Sequence, residues 1–162
     1  MAQKINLYNL VTMKTSKRIP FILTLTLILA SCATALYDQY SFTETLEVKA
    51  EAMSLINVSN TPYTAHTMEV EELKSHVLQM VAYEKARERN EISVKMWQYL
   101  ASDAASLQKF IALWKEQSTM SPAFKDEYLP QIEHVFDLMA DYESKKSKDA
   151  ESSLLKLLTT QP

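Results

Sequence analysis

Glycine is absent from this chain of 162 residues, and cysteine occurs once. Average usage would supply roughly eleven glycines in a chain of this length. Without them the sequence has no Gly-rich phosphate loop, no dinucleotide-binding fingerprint, no G-x-S-x-G nucleophile elbow and no Asn-Gly hairpin turn. Tight β-turns also favour glycine, because it reaches positive φ without steric cost. The composition therefore predicts an all-α protein.

Acidic residues are absent from the first 31 positions, which contain four basic residues. A basic cluster at residues 14–18 precedes an apolar run at residues 19–30. This order is typical of a secretory signal peptide. As a helix the run would span about 18 Å, whereas the hydrocarbon core of a membrane is about 30 Å thick. We therefore interpret residues 1–31 as a signal peptide, with Met13 as an alternative start.

The signal ends in the tetrapeptide Leu29, Ala30, Ser31 and Cys32. It resembles the lipobox of bacterial lipoproteins, in which a leucine and two small residues precede a cysteine. The resemblance covers residues 14–32 and implies a lipid anchor, including palmitate, on Cys32. It also implies that signal peptidase II recognises the three preceding residues and cleaves before the cysteine. The rest of the chain is similar, in a general way, to all-helical envelope lipoproteins of Gram-negative bacteria that have no assigned role.

The residues after Cys32 indicate where such a lipoprotein would reside. Ala33 replaces the aspartate that the resemblance associates with inner-membrane retention, and no acidic run follows the cysteine. We therefore expect a lipid-anchored protein of the outer membrane that faces the periplasm. Removal of residues 1–31 takes away four of the 17 basic residues and none of the 20 acidic ones, which leaves a net charge of −7. This charge argues against nucleic acid as a partner and against electrostatic attachment to anionic lipid.

Hydrophobic periodicity predicts a small antiparallel bundle of about four helices over residues 37–143. A short tether, residues 32–36, precedes it, and a polar, partly disordered tail, residues 144–162, follows it. Within that tail, the leucine-rich residues 154–158 either dock as a short helix or stay loose. The first helix, residues 37–58, is expected to bury the stripe of Phe42, Leu46, Met53 and Ile56, which Val48, Ala52 and Leu55 widen. The third, residues 91–117, carries apolar residues at strict 3–4 spacing: Trp97, Leu100, Ala104, Leu107, Ile111 and Trp114. All of these except Ala104 are expected to pack against Leu73, Val77, Met80, Ile132, Phe136 and Met139.

The boundary between the second and third helices has two interpretations. Residues 83–92 contain no proline, so one rod of about 49 residues is an alternative to two helices. If the apolar stripe of the second helix is continued, it reaches Glu84 and Arg87. These two charged residues would then lie on the face that is expected to pack against other helices. The stripe of the third helix also lies in a different register. These two observations favour a turn at Asn90.

No residue pattern indicates catalysis or a metal centre. The three histidines, His66, His76 and His134, do not form a close ligand pair such as H-E-x-x-H. Glu72 and His76 lie four residues apart on one helix face, but a metal site in a bundle repeats its ligands on separate helices. A hydrolytic group is conceivable only from common residue types: Glu133, His134, Asp137, Ser118 and Ser121. We therefore expect no enzymatic activity, no bound metal and no cofactor.

Two classes of function remain open. The first is an interaction or scaffolding module that contacts an envelope protein, and the second is a periplasmic ligand-binding or enzymatic domain. For the second class, the connection that contains Tyr63 and His66 is the candidate site, because exposed loops rich in polar and aromatic groups often bind ligands. The other aromatic residues fit core packing better than a ligand groove. They are Tyr37, Tyr40, Tyr83, Tyr99, Tyr128, Tyr142, Trp97 and Trp114.

Overall fold

The computed structural model describes residues 36–160, which contain helices and turns but no strand. The chain divides into two compact units, and the second, Ala35–Pro162, contains every described residue. The all-α class is confirmed. In chain order the elements are α1 (Gln39–Val58), a 3-10 turn (Tyr63–Ala65), α2 (Thr67–Lys85), α3 (Glu91–Ala101), α4 (Ser106–Gln117), α5 (Pro122–Lys145) and α6 (Lys148–Thr160).

Neighbouring helices in this unit run antiparallel, as the periodicity predicts. Ser41 near the start of α1 contacts Glu84 near the end of α2, and Ser93 near the start of α3 contacts Glu143 near the end of α5. α1 packs against both α2 and α5, α2 also packs against α3, and α6 packs against α5. The termini of several helices therefore meet at the same end of the unit.

The core contains the apolar residues that the spacing selects. Both tryptophans, Trp97 and Trp114, are fully buried. All the following belong to one hydrophobic cluster: Leu73, Val77, Met80, Trp97, Leu100, Leu107, Ile111, Trp114, Ile132, Phe136 and Met139. Complete burial of side chains of this size contributes about 1.5–3 kcal/mol each. The packing predicted for these residues is confirmed.

The third predicted helix is divided, which corrects the prediction of one helix over residues 91–117. α3 ends at Ala101, and α4 begins at Ser106. At the break, the hydroxyl of Ser102 donates to the carbonyl of Tyr99 at 2.7 Å, and the amide of Ser102 donates to the same carbonyl at 2.9 Å. Serine side chains compete in this way with the helical hydrogen-bond pattern. As a result Ala104 is exposed, and its neighbour Ala105 is buried instead.

The buried face of α1 also differs from the predicted stripe. Leu46 is 42% exposed, and Phe42 and Met53 are only partly buried. Two polar residues, Ser41 and Thr45, occupy the buried positions at the start of the helix. Ser41 faces a buried carboxylate on α2, so its position is set by a hydrogen bond that an apolar pattern cannot reveal. Further along α1 the buried residues are Val48, Ala52, Leu55 and Ile56.

The C-terminal segment is ordered as a helix, in contrast to the predicted disordered tail. The amide of Ala150 donates to the hydroxyl of Ser147 at 3.3 Å, so Ser147 caps the start of α6. Asp149 and Glu151 lie in its first turn, where the helix dipole favours negative charge. Ala150 and Leu154 are buried in the hydrophobic cluster. Of the two alternatives for the leucine-rich segment, the structure shows the docked helix.

The turn predicted at Asn90 is confirmed, since α2 ends at Lys85 and α3 begins at Glu91. Within residues 36–160, three residues adopt positive φ: Arg89 at 57°, Ser118 at 67° and Lys146 at 46°. Lys146 ends α5, and its amide donates to the carbonyl of Tyr142 at 2.8 Å. Because the chain has no glycine, Lys146 itself adopts the left-handed conformation that glycine usually supplies after a helix, at a cost of about 1–2 kcal/mol.

Candidate functional site

Buried polar residues gather at the end of the unit where α1 and α3 begin and α2 and α5 end. We call this the entry end, because the chain enters the helical unit there. The opposite end, formed by the last turn of α1, the 3-10 turn, α4 and the start of α5, is the far end. Two glutamates at the entry end are fully buried, together with two serines. The buried polar cluster consists of Ser41, Glu84, Arg87, Ser93, Glu143 and Lys146.

The first half of the buried polar cluster is built around Glu84 on α2. Ser41 donates its hydroxyl hydrogen to this carboxylate, and Arg87 Nη1 lies 2.9 Å from Glu84 Oε2. Arg87 also pairs with Asp38, at 3.2 Å from Nε to Oδ2. The Tyr83 hydroxyl donates to the same Asp38 oxygen at 2.6 Å. This half therefore joins the start of α1 to the end of α2.

The second half of the buried polar cluster repeats this arrangement around Glu143 on α5. The Ser93 hydroxyl donates to Glu143 Oε1 at 2.5 Å. Lys146 Nζ lies 2.6 Å from Glu143 Oε2 and donates to Ser93 Oγ at 3.0 Å. The ammonium group also lies 4.5 Å from the centre of the Tyr142 ring. In both halves, a serine from one helix and a cation three residues after the glutamate hold the buried carboxylate.

The two halves influence each other electrostatically. Burial, and then the nearby charge of Glu143, raise the pKa of Glu84 to about 7, although Arg87 and Lys146 oppose the shift. Burial and the charge of Glu143 also raise the pKa of Tyr142 to about 12. The hydrogen bond to Asp38 raises the pKa of Tyr83 to about 12. A buried carboxyl group that titrates near neutrality can take up or release a proton, so its charge changes within the ordinary range of pH.

Apolar side chains are exposed beside this cluster. Leu36 is 81% exposed, Tyr37 is 52% exposed and Tyr40 is 49% exposed. The ring of Tyr40 lies 4.7 Å from the ring of Tyr83, centre to centre. We call these three residues, Leu36, Tyr37 and Tyr40, the apolar edge. An apolar group of this kind at the point where the chain enters is a surface suited to lipid or protein contact.

The structure separates the two predicted ligand-binding candidates, Tyr63 and His66. Tyr63 is 7% exposed and stacks edge-on against Trp114 at a ring distance of 5.5 Å, so it is part of the core. His66 instead lines a cleft of about 370 Å³ between α1 and α2, whose other polar residues are Glu51, Ser54, Glu69 and Glu72. The ring nitrogen Nε2 of His66 lies 2.7 Å from the Thr61 hydroxyl. Only His66 is therefore available to a ligand.

His76 finds its partners across the helix interface rather than along its own helix. Its Nε2 lies 2.6 Å from Glu44, and its Nδ1 lies 3.1 Å from Glu51, both on α1. Burial tends to lower the pKa of His76, but the hydrogen bonds with Glu44 and Glu51 outweigh burial and raise the pKa above its ordinary value. Glu72 is not one of its partners. Among residues 36–160, no group of three or more histidine, cysteine, aspartate or glutamate side chains is arranged to hold a metal ion.

The residues considered for a hydrolytic group lie in separate environments. Glu133 and Asp137 both bind Lys49, at 3.2 and 2.5 Å. Ser121 caps α5 by accepting the amide of Phe124 at 3.3 Å, while the carbonyl of Ser118 accepts the amide of Tyr63 at 2.7 Å. These contacts are structural, and they do not bring a serine, the exposed His134 and an acid together.

Sequence reasoning did not identify the buried polar cluster. A signal was present, because the apolar stripe of α2 continues to Glu84, and the same spacing from glutamate to cation recurs at Glu143 and Lys146.

The lipobox candidates, Leu29, Ala30, Ser31 and Cys32, lie outside the described residues. None of the helices within residues 36–160 is both long and apolar enough to cross a membrane. Comparison with family models, curated proteins and solved structures finds no match.

Proposed function

We propose that this protein is a lipid-anchored module of the bacterial envelope, held to the outer membrane through Cys32 and facing the periplasm. Its helical unit acts as an interaction or scaffolding module for another envelope protein. The observation that carries the proposal is the position of the apolar edge, which begins four residues after Cys32. Four residues of extended chain span at most about 14 Å. A lipid on Cys32 would therefore keep the entry end close to the membrane surface.

The chemistry of the apolar edge supports this orientation. Tyrosine combines an apolar ring with a polar hydroxyl, and it is enriched where proteins meet the interface between lipid and water. Tyr37 and Tyr40 are both about half exposed at this position. One acyl chain holds a protein weakly, whereas two or more give stable attachment. The diacylglyceryl group that the lipobox implies would therefore hold the protein without any contribution from its net charge.

The anchor is tested by metabolic labelling with palmitate in cells that express the full chain. The wild type should incorporate palmitate and fractionate with membranes. Cys32→Ser should incorporate none and accumulate as an uncleaved precursor. A matched control, Cys32→Ser combined with Ser144→Cys, keeps one thiol but moves it to an exposed position on α5, and it should also remain unlabelled. A wild-type protein that takes up no palmitate would contradict the proposal.

The interaction role is tested separately, by purifying the tagged protein from detergent-solubilised membranes. A second form carries a cleavable signal without a lipobox in place of residues 1–32, which should release it into the periplasm. If the helical unit itself recognises a protein, the same partner should accompany both forms at a constant ratio. Recovery of both forms without a partner would contradict the scaffolding role.

A second candidate function, ligand binding, rests on the cleft beside His66. This cleft is bordered by three glutamates and has an apolar floor of Leu55, Val58 and Leu73. If it binds a small periplasmic ligand, titration should shift the ring resonances of His66 and leave those of the exposed His134 unchanged. A shift of both histidines together would indicate a pH change rather than a ligand.

A further inference from the structure

A second cleft of about 370 Å³ opens at the junction of α2 and α3, on the entry end of the unit. Its lining contains three basic residues, Lys85, Arg87 and Lys95, and one acidic residue, Glu91. Lys85 and Lys95 are exposed and form no ion pair with any residue in the range 36–160. The cleft is therefore locally positive, although the mature chain as a whole is acidic.

Asn90 is the second observation that points to a ligand. It lines the cleft and is 2% exposed, yet neither its amide nitrogen nor its amide oxygen has a hydrogen-bond partner among the described residues. Buried side-chain amides are nearly always hydrogen-bonded, because an unpaired buried polar group costs about 1–3 kcal/mol. A ligand with oxygen atoms in the cleft would supply a partner for the Nδ2 hydrogens of Asn90.

The start of α3 adds further hydrogen-bond donors. Asn90 is the N-cap residue of this helix of 11 residues, but its side chain makes no capping hydrogen bond. The first backbone N–H groups of a helix have no partner within the helix, and the helix dipole makes this end attractive to anions. In α3 the Asn90 side chain leaves these groups open to another acceptor.

We propose that this cleft binds a phosphate group, held by the first-turn amides of α3, the side-chain amide of Asn90 and the ammonium groups of Lys85 and Lys95. Arg87 is already committed to Glu84 and Asp38, and it forms a positively charged wall of the cleft. A phosphate fits this donor set better than a carboxylate, because it offers more acceptor oxygens and can carry a second negative charge. The volume leaves room for an organic substituent on the phosphate. The inference does not depend on lipidation of Cys32.

The source of the phosphate is either a free phosphate compound or a lipid headgroup, since both offer the same oxygens. The side chain of Arg87 connects the cleft to the apolar edge, because its Nη2 lies 3.5 Å from the carbonyl oxygen of Leu36. A headgroup phosphate could thus occupy the cleft while the apolar edge contacts the acyl region. The experiment separates the two sources.

The test uses the full chain in micelles of an uncharged detergent, observed through its backbone amide resonances. In one arm, inorganic phosphate is titrated against acetate at equal ionic strength. In the other arm, the micelles are doped with short-chain phosphatidylglycerol. We expect saturable shifts at residues 90–93 with phosphate, with phosphatidylglycerol or with both, and affinity for acetate should be at least about tenfold lower.

Matched variants assign the effect to the cleft. Lys85→Gln with Lys95→Gln should weaken binding by about tenfold or more, because each lysine supplies a charge-assisted hydrogen bond. Lys109→Gln with Lys115→Gln removes the same charge from exposed positions on α4, and it should change affinity by less than about twofold. Asn90→Asp places a negative charge in the cleft and should abolish binding. Circular dichroism checks that this variant folds. If it does not fold, the variant with Lys85→Gln and Lys95→Gln tests the proposal in its place.

The outcomes separate cleanly. Loss of binding confined to the cleft variants supports the proposal, with free phosphate or a headgroup as the source according to the arm in which it appears. Equal losses in the two lysine pairs would show attraction to overall charge and would overturn it. Acetate binding as tight as phosphate binding would overturn it as well, and so would the absence of saturable shifts in both arms.

Discussion

The two ends of the helical unit are closed by different kinds of interaction. At the entry end, the buried polar cluster joins four helices through carboxylates, cations and serine hydroxyls. At the far end, aromatic rings pack around Trp114, with Tyr63 at 5.5 Å and Phe110 at 6.5 Å, and the Trp114 indole donates to the carbonyl of Thr61 at 3.0 Å. Both ends are closed by buried side chains, but the fully buried carboxylates, Glu84 and Glu143, lie at the entry end.

This difference has a physical consequence for how each end responds to its surroundings. Aromatic packing depends on excluded water and close contact, so it is nearly independent of pH and ionic strength. A buried ion pair depends on its partners remaining charged, and the desolvation of each charge offsets much of the attraction. The far end is therefore expected to act as the stable closure of the bundle, and the entry end as the part that responds to protons and anions.

The largest expected effect comes from a substitution that disrupts the packing of the far end. Trp114→Ala should destabilise the protein by about 3–5 kcal/mol, because it removes a fully buried indole and leaves a cavity. Denaturant unfolding followed by circular dichroism measures the loss in a His66→Gln background, because the His66 ring lies 5.5 Å from the Trp114 ring. In that background the loss should be the same within error at about pH 5 and about pH 7.5, since the indole carries no charge. Trp114→Phe, which fills part of the cavity, serves as the control and should lose less. A loss that changed strongly with pH would contradict the proposed difference between the ends.

The next largest effect is expected from a substitution that disrupts one half of the buried polar cluster. Glu143→Gln should cost about 3 kcal/mol, because Lys146, itself only 5% exposed at its side chain, would lose its counter-charge inside the protein. The matched control is Asp141→Asn on the same helix, which removes the partner of Lys145 from an exposed pair. That change should cost less than about 1 kcal/mol. Equal losses from the two substitutions would show that burial of the ion pair between Glu143 and Lys146 adds nothing to the free energy of unfolding.

The third prediction concerns the pH dependence that distinguishes the entry end. Because the pKa of Glu84 is raised to about 7 in the folded state, against 4.5 when unperturbed, the folded state binds more protons between these values. The contribution of Glu84 to stability is therefore fully present below about pH 4.5, and it is lost as pH rises through about 7. For a single group the fall is about 2 kcal/mol between about pH 5 and pH 7.5.

Glu84→Gln tests this dependence, since the amide cannot ionise. Unfolding measured across the interval should show a smaller decrease in the variant than in the wild type. His76 contributes a decrease of the same sign, because its raised pKa favours the folded state at low pH and the benefit disappears as pH rises through that pKa. The variant keeps this contribution of His76. An identical pH dependence in the two proteins would mean that Glu84 does not titrate in this interval.

Much of the fold is accessible from the sequence because its signals are local. The absence of glycine, the 3–4 spacing of residues such as Leu107 and Trp114, and the charged residues on either side of Asn90 predict the helical class, the core and a turn. The division of the third helix at Ser102 is not accessible in this way. A hydroxyl that could cap a helix is common in helical sequences, and only packing decides whether it interrupts one.

The contacts of the candidate site could be identified only from the tertiary structure. The sequence alone determined that this chain is helical, that its core includes both tryptophans and that the only cysteine follows a lipobox-like segment. Only the tertiary structure decided that Glu84 and Glu143 are buried and that His76 pairs with Glu44 and Glu51. It also decided that Asn90 lines a basic cleft with no hydrogen-bond partner for its side chain among residues 36–160. The reason is that a charged residue on a helix is most often exposed, and it becomes buried only when residues distant in the chain supply its partners. Periodicity reports which face of a helix is apolar, but it contains no information about which polar groups from another helix will face it.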